Sequence, residues 1–514
     1  MTSRKETLNF SRGRRRFLVT AGVAGSAASL PLIASAATKN GEKSKGASGS
    51  VAGTGTKDLL LTDAFVITMN PTRDVITNGY VWIRGDSIHK VGTMASLGET
   101  GGVERRSMAD HVIMPGLINT HNHISSFGMR AMQDWPGFPG DSAMYAGMRV
   151  LDGEGGYLGS AVGLLEQLQG GITTCKALEA GTDELMLGCV RASEESGARV
   201  AIARYGMDAA DNAAPNLIVP EDVRDTVDGA IRSLDFLRSK VTSPLVSVSP
   251  DAFSVMRVSK EMMLALHAYA VKHNLRFGMH AGATENEQKE CLAQHGRRIA
   301  YYLDDLGVLD SRLLIGHGRW LDLDECTLVA KRGAAIASCP VGSARLGGYY
   351  GLVKDWLDLG IKVGIGTDGP TFNNSQDIWE TAKFMIYGPR SAYRGWGTAE
   401  TALELLTIRG ADAIGMADRI GSLEAGKAAD LICIDTIRPT LSPTTSLLNN
   451  LIYAHDRSAV RHVMVNGAMV INDGQHRSFD SRKLCRDFSR WAERAQTKSG
   501  LLQHYKSSSP FRYI

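Results

Sequence analysis

The chain has 514 residues, 43% of them hydrophobic and 22% charged, and the charges are scattered, which excludes global disorder and leaves enough apolar material for a large core. Its formal charge of +3 is concentrated at the start: six of the 57 Lys and Arg and one of the 54 Asp and Glu fall in the first 36 residues, so the remainder carries −2. That near-neutral balance excludes a basic nucleic-acid footprint and an acidic solvating tail.

Arg14-Arg15-Arg16-Phe17-Leu18 precedes an apolar, small-residue run from Val19 to Ile33, and Ala34-Ser35-Ala36 follows as a small-x-small cleavage site. Residues 1–36 resemble a twin-arginine export signal. The resemblance implies the twin-arginine export machinery as a partner, a periplasmic destination, and folding with cofactor uptake before export. The run is short and rich in Gly, Ala and Ser for a membrane span, and no later stretch approaches the roughly 20 apolar residues needed, so no stable span is expected after cleavage, with an uncleaved anchor as the lesser alternative. Residues 37–57, mostly Gly, Ser, Lys and Thr, read as a flexible linker.

From residue 58 to 111 the runs LLLTDAFVITM and GYVWIRGDSIHKV alternate as half-buried antiparallel strands do. The texture returns over residues 425–475 in ADLICID and AVRHVMVNGAMVIND, predicting one small β-sandwich domain formed by both ends of the mature chain. Between them, residues 112–424 hold eight short apolar runs: VIMPGLINT, GITTC, RVAIARYG, LVSVSP, LRFGMH, RLLIGH, GAAIASCP and IKVGIGTD. Helical stretches such as DELMLGCVRASEESG separate them, and this alternation predicts an α/β fold, a (β/α)₈ TIM-like barrel. Residues 476–514 read as an amphipathic helix through Trp491 and a polar, aromatic tail with a packing role. The seven cysteines are odd in number and contain no C-x-x-C pair, a pattern of buried free thiols rather than a disulfide framework or thiolate site.

His121-Asn122-His123 closes the first barrel run, His280 the fifth, His317 the sixth and Asp368 the eighth. Taken singly, Asp368 reads as a helix N-cap and His317 as a core histidine. Four strand ends carrying imidazole or carboxylate on the face where such barrels place their chemistry make a metal site the better reading. Neutral imidazoles with one carboxylate suit one divalent metal per chain, zinc before iron or manganese, with a position left for water.

PGLINTHNH, GGITT, CPVGSARLG, VGIGTDG with NNSQD behind it, GSLEAGKAADLICID and VMVNGAMVINDG, spread from Asp58 to Gly474, are similar to the cytosine deaminase and chlorohydrolase (triazine hydrolase-like) branch of the amidohydrolase superfamily. The resemblance implies a single metal on His121, His123, His280 and Asp368. It further implies that Asp368 takes a proton from the attacking water and passes it to the leaving group, while His317 polarises the bond under attack or steadies the hydroxide. Relatives of this kind are often homo-oligomers.

The chain departs from that branch at the fifth strand, where HxxE is usual and its Glu protonates a ring nitrogen; here His280-Ala281-Gly282-Ala283 places alanine at the Glu position. Either Glu285 or Glu287 substitutes, although both read as solvated residues of a helix's first turn, or the substrate needs no ring proton, or the site serves hydration, elimination or binding alone. The second account is favoured, so a hydrolase cleaving a C–N bond of a small amide, lactam or related compound is expected. A deaminase or dechlorinating hydrolase of an N-heterocycle is the first alternative, and a lyase, hydratase or periplasmic small-molecule binding protein the second. Lys176 in GITTCKALEAG, Trp135 in the long loop after the first histidines, and Asn373 in NNSQD are candidate substrate contacts; for Lys176 the blander readings are a surface loop residue or a partner of Glu179.

Overall fold

The computed structural model describes residues 58–134, 145, 147–209 and 219–513; the expected export signal, the linker and Trp135 lie outside them. Each of the eight apolar runs contributes one parallel strand: Leu117–Asn122, Ile172–Glu179, Arg199–Gly206, Val246–Ser254, Phe277–Ala281, Leu313–His317, Ala335–Ser338 and Lys362–Ile365, hydrogen-bonded in sequence order. Helices on the connections cover the outer face, so strands such as Ile172–Glu179 bury every residue, as parallel strands covered on both faces must. Ring closure comes just past the eighth strand, where Asn122 and Asp368 form a parallel bridge and the Asp368 amide donates to the His121 carbonyl at 2.9 Å. The result is a (β/α)₈ barrel.

The run VIMPGLINT divides between two sheets. His111–Pro115 pairs antiparallel with Leu431–Asp435, so the barrel begins at Leu117 and residues 112–115, expected in the barrel, belong to the smaller sheet. That sheet has nine strands drawn from residues 59–115 and 431–476. It closes over Leu61, Val81, Ile83, Ile113, Leu431 and Met464. The two ends of the described chain thus share one hydrogen-bond ladder.

The helix Ser481–Lys498 lays Leu484 and Trp491 against Leu158, Ala161 and Leu165 of the helix Gly153–Gln169. Trp491 Nε1 also donates to Asp152, the residue capping that helix, at 3.1 Å. All seven cysteines are free, six buried and Cys485 exposed. No helix among the described residues is long and apolar enough to cross a membrane.

Barrel and sheet are joined by a buried ion pair. Arg199, opening the third barrel strand, meets Asp430 through Nε at 3.0 Å and Nη2 at 3.1 Å, and the Asn466 amide adds a third donor to Asp430 at 2.7 Å. Asp430→Ala would leave the guanidinium buried without its carboxylate, so a loss of about 3–5 kcal/mol is expected. Urea denaturation measures it, and Arg199→Met in the same chain should recover a large part.

Candidate metal centre

The four predicted strand ends converge at one mouth of the barrel. His121 and His123 come from the first strand end, His280 from the fifth strand, His317 from the end of the sixth, and Asp368 from just beyond the eighth. Ring centroids of His121 lie 5.3, 4.8 and 5.2 Å from those of His123, His280 and His317. Asp368 Oδ1 is 3.9 Å from His121 Nε2 and 3.7 Å from His123 Nε2. Donor atoms of His121, His123 and His280, and of His121, His317 and Asp368, fall within 4.8 Å of one another in two groups sharing His121.

Tautomers follow from the backbone. His123 Nδ1 lies 2.7 Å from the Leu178 carbonyl and His280 Nδ1 is bonded to the Phe253 carbonyl. A carbonyl only accepts, so each Nδ1 is the protonated nitrogen and each Nε2 turns its lone pair to the centre. His121 Nε2 is buried without a hydrogen-bond partner, which is costly unless a cation takes the lone pair. Burial, followed by the charges of His280, His317 and His123, holds His121 well below the usual imidazole range; burial does the same to His280 and takes His317 down to about 4. These imidazoles are neutral at pH 7, as ligation requires. Burial raises Asp368, opposed by His123 and by the Gly369 amide. The donor set, its spacing and the orphaned Nε2 fit a divalent metal.

Local sequence explains how the mouth holds these groups. A Cβ at Gly316 would come within 2.8 Å of the His121 ring, and one at Gly366 within 2.6 Å of His121 Cβ, so glycine at both positions makes room for the imidazole. His317 and Asp368 themselves have φ of +72° and +64°, a left-handed conformation uncommon for such residues and typical of functional sites. Behind them Asn119 Nδ2 donates to Thr367 Oγ1 at 2.7 Å while its Oδ1 accepts from the Thr367 amide at 3.0 Å, and Gln376 Nε2 donates to the Asp368 carbonyl at 3.2 Å.

The ligands open onto a cavity of about 460 Å³. One wall is aromatic, Tyr205 stacked on Phe253 at 4.9 Å, with Phe372 and Met256 also lining the space. Glu179, Tyr205, Arg257, Glu287 and Arg319 are its charged or ionisable groups apart from the metal-site residues. Glu179, at the end of the second strand, accepts from the Ser125 amide at 3.2 Å and from the Ile124 amide and the Ser125 hydroxyl, tying down the loop that follows the first histidines. Burial takes its carboxyl up to about 8.

Three expectations need correction. Lys176 is neither a surface residue nor a partner of Glu179: it is 3% exposed and its Nζ lies 2.8 and 2.7 Å from the two carboxylate oxygens of Asp251 in the fourth strand, outside the cavity lining. Asn373 also stays out of the lining, its Nδ2 donating to Thr381 Oγ1 at 3.2 Å. Glu285 is solvated as expected, paired with Lys289, but Glu287 is 8% exposed, lines the cavity, and accepts from the Ala283 amide at 2.9 Å. The signal for Glu287 was present as Thr284-x-x-Glu287, a capping-box pattern that pulls the third-turn-position carboxylate back toward the chain before the helix. Nothing local announced Asp251 or Glu179.

A model of the amidohydrolase family matches residues 112–470. The chain is 25% identical over 455 residues to a 5-methylthioadenosine/S-adenosylhomocysteine deaminase of Thermodesulfovibrio yellowstonii, covering 85% of this chain and 99% of that protein. It is 28% identical over 444 residues to a protein of the same name from Bacillus cereus, at 84% and 97% coverage. Among solved structures it is similar to an adenosine deaminase of Xanthomonas campestris with bound zinc, with TM-score 0.79, 24% identity, and 86% of this chain and 99% of that one covered. An atrazine chlorohydrolase from Arthrobacter aurescens TC1 complexed with zinc gives TM-score 0.77 at 21% identity, with 84% and 100% covered. At those identities the structural likeness carries the fold.

His121→Ala removes the ligand common to both donor groups, and elemental analysis of the purified protein should find its metal lost while the parent holds about one per chain. Gly316→Ala, which crowds the same ring without removing it, should weaken metal binding about 10–100-fold, the range for changes just behind a ligand, with the circular dichroism spectrum kept. Full metal occupancy in His121→Ala would remove this residue from the site.

Proposed function

The chain belongs to the amidohydrolase family and is a metal-dependent hydrolase acting on C–N bonds; from that premise we propose that it removes an amino group hydrolytically from a flat N-heterocycle. The observation that carries the reading is the stacked Tyr205–Phe253 wall facing the converged His and Asp groups within one cavity, a slot suited to a planar ring. The relatives named as deaminases support it, since they match over nearly their whole length.

His121, His123, His280 and Asp368 would hold a divalent cation, which when bound would supply a water whose pKa is lowered from about 15.7 toward about 7. Asp368 accepts the proton released as water attacks the ring carbon, then delivers it to the departing amine. His317, neutral at working pH, has one ring N–H with which to steady the oxygen as it gains charge. The aromatic wall fixes the plane of the ring and keeps bulk water from the far face.

An amide or lactam substrate is the second reading, favoured by Ala283, which cannot supply a ring proton. The Arg14-Arg15-Arg16 segment and the apolar run behind it support export by the twin-arginine route, so we place the working enzyme in the periplasm.

Ammonia release from aminated purines, pyrimidines and triazines, run beside a panel of lactams and anilides, separates the two substrates. Turnover on the heterocycles should fall by about 10²–10⁴-fold in Asp368→Asn, the range for loss of a positioned proton carrier. Activity retained in Asp368→Ala sinks the mechanism, and turnover confined to amides or lactams rejects deamination.

A further inference from the structure

We propose that Glu287 is the general acid of this site, donating from the first turn of the following helix the ring proton that residue 283 cannot supply. The proposal rests on the heterocycle reading above and adds a catalytic group to it.

The geometry starts at the fifth strand. After His280 the chain runs through Ala281, Gly282 and Ala283 to the helix Glu285–His295, whose N-cap is Thr284. Thr284 Oγ1 accepts the Glu287 amide at 3.2 Å, which meets the capping requirement from one side. In an ordinary capping box the glutamate three residues on would return to the amide of the cap itself. Glu287 instead reaches one residue further back: its Oε2 takes the Ala283 amide at 2.9 Å. The carboxyl group is thereby anchored at the backbone of the residue that lacks a carboxyl of its own. Ala283 and Glu287 both line the cavity that holds His280, His317 and Asp368. Arg319 fixes the other side of the same residue, its Nε donating to the Ala283 carbonyl at 2.6 Å.

Environment makes the group an acid rather than a spectator. It is 8% exposed, and burial takes the carboxyl up to about 7 against the pull of the Ala283 and Gly282 amides and of Arg257. A donor whose pKa lies near the working pH is the effective one. The other ionisable groups facing this cavity are Glu179, Tyr205, Arg257, Arg319, His123, His280, His317 and Asp368, and Glu285 and Asn286, which precede Glu287 in the helix, are exposed.

The protons balance. Water forms the new C–O bond to the ring carbon while its proton goes to Asp368, and the Glu287 carboxyl proton passes to the adjacent ring nitrogen. The C–N bond to the exocyclic amine then breaks as Asp368 returns its proton, releasing ammonia. The proton of the new hydroxyl reprotonates Glu287 and leaves a ring carbonyl beside a ring N–H.

Glu287→Gln tests the role, because the amide oxygen can still accept from Ala283 while the donated proton is gone. With adenosine as the probe and the metal-loaded enzyme, kcat should fall about 10²–10⁴-fold, KM should move little, and metal content and Tm should stay at parental values. The parent should lose kcat/KM as the pH rises through about 7, where Glu287 gives up its proton, and that limb should vanish in the variant. Limbs from the histidines and Asp368 are common to both proteins. Ala283→Glu placed in the Glu287→Gln background should restore part of the rate. A Glu287→Gln rate within about threefold of the parent overturns the proposal, as does a low rate with the parental pH profile unchanged. If the parent hydrolyses only lactams or anilides, the heterocycle reading fails by itself. The same variant run on those substrates then decides Glu287: a lost rate with a lost alkaline limb upholds it as the acid, and an unchanged rate removes it.

Discussion

Everything at this site depends on the barrel closing between its first and eighth strands. The Asp368 amide bonds to the His121 carbonyl, so the carboxylate and the first imidazole are set relative to each other by backbone rather than by side-chain choice. Asn119 and Gln376 then hold the Thr367–Asp368 segment from behind. Such backing leaves the ligands few alternative rotamers, and a preorganised donor set binds metal without first losing conformational freedom. The left-handed backbone at His317 and Asp368 belongs to the same constraint: a regular strand end would turn these side chains along the barrel wall, and the surrounding bonds enforce the less populated conformation.

The barrel was legible because its signal is repeated. Eight parallel strands covered on both faces must be largely apolar, and each run between LINT and VGIGTD is apolar over most of its length. The strand-end histidines were legible for a related reason, since imidazole terminating an apolar run has few structural explanations when it recurs. What could not be read was anything set by residues far apart in sequence. Lys176 finds Asp251 75 positions away, and no local pattern distinguishes that from a surface lysine. The division of VIMPGLINT between two sheets was equally hidden, because both halves are buried and apolar, and only the partner strand Leu431–Asp435 tells them apart.

Ala283 shows how a motif-level reading misleads when the missing atom is supplied from elsewhere. The identity of residue 283 is correctly read as loss of a carboxyl, but the position of a functional group is a spatial quantity. On a helix entered by a turn, the third residue can reach back past the cap. The glutamate lies four residues later in sequence and adjacent in space. Its neighbour Glu285, chemically identical and two residues earlier, points to solvent and pairs with Lys289. The difference between the two is rotation about the helix axis, with Glu287 on the face that the cavity buries.

The buried Lys176–Asp251 pair has a physical account as well. The two charges meet across the barrel interior beside Gly278, where a Cβ would come within 2.5 Å of Asp251 Oδ2 and 2.9 Å of Lys176 Nζ. Taking such a pair from water is costly, and packed apolar residues would often be as stable. Its charge, however, bears on His121: the Lys176 ammonium adds to the forces that keep that imidazole unprotonated. A proton and a metal ion compete for the same Nε2 lone pair, so a cation beneath the ring disfavours the proton. The same cation also repels a dication at the mouth, and Asp251, holding Lys176 through both carboxylate oxygens, opposes that field with a charge of the other sign. A lone lysine here would repel a dication more strongly than the Lys176–Asp251 pair does, so the partner that stabilises the ammonium also eases metal binding at the mouth.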